Sequence, residues 1–254
     1  MNPLSPGSVP ETSAVTPIVA LDVPDRAGAQ RIVDGLGAEC DYYKVGLELF
    51  AAEGPSIVAW LRGAGKSVFV DLKLHDIPNT VRGAARSVAR HGASLLTVHA
   101  SGGTEMVRAA VEGAAEGAAE SAGAGSSGCG ILGVTILTSM DAAGIGAAWG
   151  RDHIDVTSEV VRLAGLVAAG GGAGIVCSGH EAAAVRDAYA DALGLLIPGI
   201  RLDGGAAHDQ RRIMTPRAAA AAGARWLILG RAVTGAPDPV AAMTTVRASL
   251  AGLP

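Results

Sequence analysis

Short apolar runs alternate along this chain with longer stretches whose apolar residues recur at helical spacing, and the alternation repeats eight times from residue 17 onward. The runs at 17–21, 42–45, 67–72, 95–99, 131–137, 174–177, 195–197 and 226–229 read as strands. After the third, Val81, Ala84, Ala85 and Val88 follow i, i+3, i+4, i+7 spacing, while Arg82, Arg86 and Arg90 share a polar face that reads as solvated. Thr215-Pro216 and Asp238-Pro239 each set an N-cap residue before a proline suited to the first helical turn, marking two late helix starts. The closing helix is expected to bury Val240, Met243, Val246 and Leu250. Eight strand–helix units fit an α/β fold, a single (β/α)8 TIM barrel over 17–254; a doubly wound open sheet is the competitor, weakened because no G-x-G-x-x-G follows the first run. The Gly-rich stretches 123–130 and 170–174 precede the fifth and sixth runs, and so read as helix stops and loops.

Composition narrows this picture. Residues 1–16 are rich in Ser and Pro, with no basic start and no apolar core, so they read as a disordered tail and not as a signal peptide. No apolar run approaches the ~20 residues of a membrane span. A net charge of −4, with no basic stripe, gives no attraction for nucleic acid, so any anionic ligand must be held by local positive charge. Cys40, Cys129 and Cys177 are odd in number and lack metal-ligand spacing; they read as buried free thiols of a reducing compartment, the cytoplasm fitting best.

The chemistry concentrates in Asp71-Leu72-Lys73-Leu74-His75-Asp76-Ile77-Pro78-Asn79-Thr80. In an extended strand Asp71 and Lys73 share a face, Leu72 and Leu74 take the other, and Pro78 forbids continuation, so the charges fall at the strand's carboxyl end. A lysine between carboxylates is held cationic and is a positioned proton donor; the alternative is a structural ion pair capping the strand. A barrel gathers its active residues at that same rim. Asp22 ends the first run, Lys44 lies near the end of the second, His99 ends the fourth and Thr138 follows the fifth. Arg201 follows the seventh run and Gly230-Arg231 the eighth, at the usual phosphate site of the architecture, so a phosphorylated substrate is inferred. His75 and His99 have no paired base, nucleophile or metal spacing beside them and read as structural or rim hydrogen-bonding groups.

From residue 17 to about 239 the chain resembles the orotidine 5′-phosphate decarboxylase family. The resemblance rests on Leu21-Asp22, Tyr43-Lys44-Val45-Gly46, the Asp71-x-Lys73-x-x-Asp76-Ile77-Pro78-Asn79-Thr80 block, Val134-Thr135-Ile136-Leu137-Thr138-Ser139, Pro198-Gly199-Ile200-Arg201, Asp209-Gln210 and Gly230-Arg231. It implies a cofactor-free, metal-free decarboxylase that makes UMP in pyrimidine biosynthesis. Lys73 would protonate C6 of the pyrimidine as carbon dioxide leaves, and Asp71 would face the departing carboxylate. Asp76 would come from the other subunit of a homodimer, completing a Lys44-Asp71-Lys73-Asp76 charge chain. Asp22 and Lys44 would bind ribose hydroxyls with Thr80 of the partner subunit, Thr138 the pyrimidine ring, and Gln210, Arg201 and Arg231 the phosphate. Residues 202–209 would close over it. Two departures stand out: Leu202 occupies a position expected to be proline, and the Ala/Gly-rich stretch 112–130 is longer than needed. Two alternatives stay open, a metal-dependent sugar-phosphate decarboxylase or aldolase on the same barrel and a barrel that binds a phosphorylated ligand without catalysis.

Overall fold

Each of the eight apolar runs forms a strand of one closed, parallel barrel in the computed structural model, which describes residues 15–121, 128–202 and 214–252. The strands are β1 (Thr16–Leu21), β2 (Tyr42–Gly46), β3 (Ser67–Leu74), β4 (Leu95–His99), β5 (Gly130–Val134), β6 (Gly174–Val176), β7 (Gly194–Ile197) and β8 (Ala224–Leu229). They pair in chain order, and β1 against β8 closes the ring. The open-sheet competitor is thereby excluded. β1 opens at Thr16, the last residue of the stretch assigned to the tail, and Val15 before it packs against the core; residues 1–14 lie outside the described residues. β5 stops at Val134, short of residue 137, although Ile136 beyond it is still buried.

The two-residue period of the strands sorts the barrel interior into layers. Ile18, Ala20, Phe69, Leu95, Leu132, Leu196, Trp226 and Ile228 meet inside the ring as a buried cluster distinct from the larger strand–helix layer outside it. Two residues further along the same faces, Phe69 gives way to Asp71 and Leu95 to Thr97, while Lys44 follows Tyr42. The barrel therefore has an apolar floor and a polar layer towards the carboxyl ends of its strands.

The helix Pro78–Arg90 starts with its proline in the first turn, where no backbone donor is missed, and buries Val81, Ala85, Val88 and Ala89. Its arginines are exposed, but two reach a neighbour: Arg82 pairs with Glu112 and Glu116, and Arg86 with Glu120, across to the helix Thr104–Glu120. Exposed pairs of this kind are screened by water and contribute little to stability. The close approach rests on glycine. A Cβ on Gly113 would stand 2.1 Å from the Arg82 carbonyl oxygen, and one on Gly117 2.0 Å from that of Arg86. Much of the apparently surplus Ala/Gly-rich stretch is thus a helix whose glycines let two backbones touch.

Both late helix starts are present. Thr215 accepts from the Ala218 amide (3.2 Å) and Asp238 from that of Ala241 (2.9 Å), each before a proline in the first turn. Caps of this type contribute about 1 kcal/mol each. The closing helix buries Ala242, Met243 and Val246, with Leu250 half-buried, whereas Val240 is 40% exposed because it falls beyond the edge of that buried arc. None of Cys40, Cys129 and Cys177 is in a disulfide; Cys40 and Cys177 are buried and Cys129 is half-buried, with burial pushing its thiol up to about 12. No described helix is long and apolar enough to cross a membrane.

Candidate active site

The polar layer above the apolar floor is a run of alternating charges. Lys44 Nζ, on β2, lies 2.9 Å from Asp22 Oδ1 at the end of β1 and 3.7 Å from Asp71 Oδ2 on β3. Lys73 Nζ stands 2.8 Å from both oxygens of Asp71. The side chain of Asp22 is 65% exposed, but those of Lys44 and Asp71 are only 10% and 14% exposed, so the inner pair has left bulk water. A carboxylate between two ammonium groups offsets its desolvation by direct attraction from both sides. Gly46 leaves room for this: a Cβ there would stand 3.0 Å from Lys44 Nζ and 3.4 Å from Asp22 Oδ1.

Asp71 and Lys73 meet, as strand alternation predicts, but not by alternation alone. Lys73 adopts a left-handed backbone with φ 52°, and the pairing of β3 with β4 shifts register between Val70 and Leu74. Outside glycine that conformation costs roughly 1–2 kcal/mol, so the neighbouring structure must hold it. Thr97, fully buried on β4, does so in part: its Oγ1 accepts from the Lys73 amide at 2.9 Å and donates to Asp71 Oδ1 at 2.9 Å. Sequence reasoning passed over Thr97. The signal was a polar residue in an apolar run, two places before His99 and so on the same inward face.

A cavity of about 540 Å³ opens above these groups. Asp22, Lys44, Asp71 and Lys73 line it on one side, with Thr138, Arg201, Gly230 and Arg231 contributed by the later loops. Among the described residues four cationic and two anionic side chains face it, a local positive excess in a chain of net charge −4. Arg201 is buried, and its Nη1 donates to the Ile200 carbonyl at 2.8 Å. Burial, and then the charge of Arg231, hold its guanidinium below the usual arginine range.

Asp76 and Thr80 are not in this group. Both are exposed and outside the lining of the cavity, and the Asp76 carboxylate accepts from the Ile77 amide at 2.6 Å. Asp71 is flanked by two lysines within the chain. Gln210 and most of the 202–209 segment lie outside the described residues. His75 and His99 face each other with ring centroids 5.5 Å apart. Burial, and then the charges of His75 and Lys73, push the His99 imidazole below its ordinary value. Among the described residues no group of three or more His, Cys, Asp or Glu has the arrangement of a metal site.

A closed parallel barrel with a charged cup at the carboxyl ends of its strands defines the protein as a (β/α)8-barrel enzyme. Over residues 16–246 the sequence matches the model of the orotidine 5′-phosphate decarboxylase / HUMPS family, and the chain belongs to that family. It is 49% identical to an orotidine 5′-phosphate decarboxylase of Anaeromyxobacter dehalogenans, over 91% of this chain and 96% of that one. Identity is 43% with the orotidine 5′-phosphate decarboxylase of Moorella thermoacetica, over 92% and 91% of the two chains. The crystal structure of orotidine 5′-phosphate decarboxylase from Lactobacillus acidophilus superposes with a TM-score of 0.82 at 31% identity, covering 94% of this chain and all of that one.

Proposed function

We propose that the protein converts orotidine 5′-phosphate to UMP and carbon dioxide, a step of pyrimidine biosynthesis, in the cytoplasm and without a cofactor. The observation that carries this reading is the Lys44–Asp71–Lys73 cluster at the mouth of a barrel of this family. Breaking the bond between C6 and the carboxylate leaves an electron pair on an sp² carbon that no adjacent π system can delocalise, so stabilisation has to be electrostatic. An ammonium already fixed near C6 supplies it without reorganisation. In this reading Lys73 Nζ stabilises the developing carbanion and passes a proton to C6 once carbon dioxide has left, and water later reprotonates the lysine. Asp71 holds that ammonium in place and faces the departing carboxylate.

Asp22 and Lys44 bind ribose hydroxyls, Thr138 the pyrimidine ring, and Arg201, Arg231 and Gln210 the phosphate. Arg201 and Arg231 both line the cup, and this supports the phosphate assignment, since planar guanidiniums donate paired hydrogen bonds to phosphate oxygens. The enzyme acts as a homodimer in which Asp76 and Thr80 reach the partner's site; support comes from their exposure beside Ile77, an apolar side chain 65% exposed.

Mixing the folded protein with orotidine 5′-phosphate and following ultraviolet absorbance tests the reading. Loss of the orotidine spectrum, unchanged by a chelator, is the expected result. No absorbance change sinks it, and activity abolished by the chelator points to metal-dependent chemistry instead.

A further inference from the structure

We propose that Thr97 is a positioning residue for the reaction: its one hydroxyl fixes both the left-handed turn that aims Lys73 and the orientation of the Asp71 carboxylate. The inference rests on the decarboxylase reading of the same site. Its geometry leaves no choice of hydrogen-bond direction. A backbone amide only donates and an ionised carboxylate only accepts, so Thr97 Oγ1 must accept from Lys73 N and donate to Asp71 Oδ1, both at 2.9 Å. Thr97 is 0% exposed, so within this layer no bulk water stands ready to replace either bond.

The bond to the backbone matters because of where it falls. The ladder between β3 and β4 runs through Phe69–Leu95 and Val70–Leu96, then breaks and resumes only at Leu74–Val98. Lys73 lies in the gap, and the threonine side chain serves its amide in place of a ladder partner. The bond to Asp71 matters because the opposite oxygen faces Lys44 at 3.7 Å while Lys73 contacts both. Thr97 thus supplies the neutral donor that sets the carboxylate's rotation between two cations. Without the hydroxyl, both the ammonium and its counter-charge are free to shift. Displacements of that size at a reacting centre lower the chemical rate more than they lower binding, because phosphate contacts elsewhere in the cup are untouched.

The test compares Thr97→Val, which keeps the shape and removes the hydroxyl, with Thr97→Ser, which keeps the hydroxyl. Single-turnover rate, KM, UMP affinity, thermal melting and hydrogen exchange of the Lys73 amide are measured for each. Thr97→Val should lower the single-turnover rate by about 10- to 100-fold, with KM and UMP affinity changed less than about 3-fold and faster exchange at Lys73. Thr97→Ser should stay within about 3-fold of the wild type with the amide still protected. Equal losses in the two variants, or a valine variant as fast as the wild type, overturn the proposal. If the valine variant does not fold, Thr97→Ala takes its place, and a serine variant as slow as alanine overturns it. A wild-type protein inert towards orotidine 5′-phosphate refutes the underlying decarboxylase reading instead, which keeps the two failures distinct.

Discussion

Both carboxylate oxygens of Asp71 lie 2.8 Å from the Lys73 ammonium. A bidentate contact of this kind leaves the lysine little rotational freedom, and in the proposed mechanism that lysine is the sole proton donor to C6. Lys73→Ala is expected to lower turnover by on the order of 10³ or more while UMP binding stays measurable by titration calorimetry. Substantial residual turnover would identify another donor.

Arg231 reaches the cup from just beyond β8. Loss of a charge-assisted bond costs about 1.5–3 kcal/mol, so Arg231→Ala should weaken UMP binding roughly 10- to 150-fold. Uridine, which lacks the phosphate, should be affected by less than about 3-fold. Equal losses for both ligands would remove Arg231 from the phosphate site.

Asp76 is exposed, and the cavity beside its own Lys73 does not include it. If it serves a neighbouring subunit, mixing inactive Asp76→Asn and inactive Lys73→Ala proteins in equal amounts should restore up to about a quarter of wild-type activity, because about half of the dimers are then mixed and each mixed dimer carries one intact site of its two. An unchanged zero after subunit exchange would return Asp76 to its own chain.

Gly117 and Gly83 make a matched pair. A Cβ at Gly117 would sit 2.0 Å from the Arg86 carbonyl oxygen, whereas one at Gly83 meets nothing within 4 Å. Gly117→Val should destabilise by about 1–3 kcal/mol or more in urea denaturation, and Gly83→Ala should stabilise by about 0.5–1 kcal/mol. A tolerated valine would mean that the two helices separate easily.

His99 gives the pH dependence a definite sign. Its imidazole is held below its ordinary value by burial first, and then by the charges of His75 and Lys73. Between the folded and the unfolded pKa the unfolded chain binds more protons, so stability is highest above the unfolded value near 6.5 and falls as pH drops through that window. His99→Gln should shrink the difference between denaturation midpoints at pH 7.5 and pH 5.5. An unchanged difference would assign the acid sensitivity to other groups.

The strands were legible because each apolar run is short and bounded, and the match holds to within a few residues everywhere. The rim charges were legible because a barrel puts the ends of its strands at one mouth. What escaped is tertiary. Alternation put Lys73 on the face of Asp71 but could not reveal the left-handed residue and register shift that make the contact. Thr97 escaped because a lone threonine in Leu95-Leu96-Thr97-Val98 looks like any strand former until the neighbouring strand is known. The apolar positions of the closing helix place Val240 on its buried face with Met243, Val246 and Leu250, and only the helix's rotation against the barrel shows otherwise. The arginines of the helix Pro78–Arg90 were read as solvated; they are exposed, yet two of them are tied to the next helix.

Among the described residues Phe69, Leu95, Leu132, Leu196 and Trp226 pack beneath the charges and close the floor of the cup. With that floor filled by side chains, a nucleotide has room only on the charged side of the barrel, where the proposed substrate would also sit. Anionic nucleotides that fill it are therefore expected to inhibit competitively, raising the apparent KM while leaving the maximal rate unchanged.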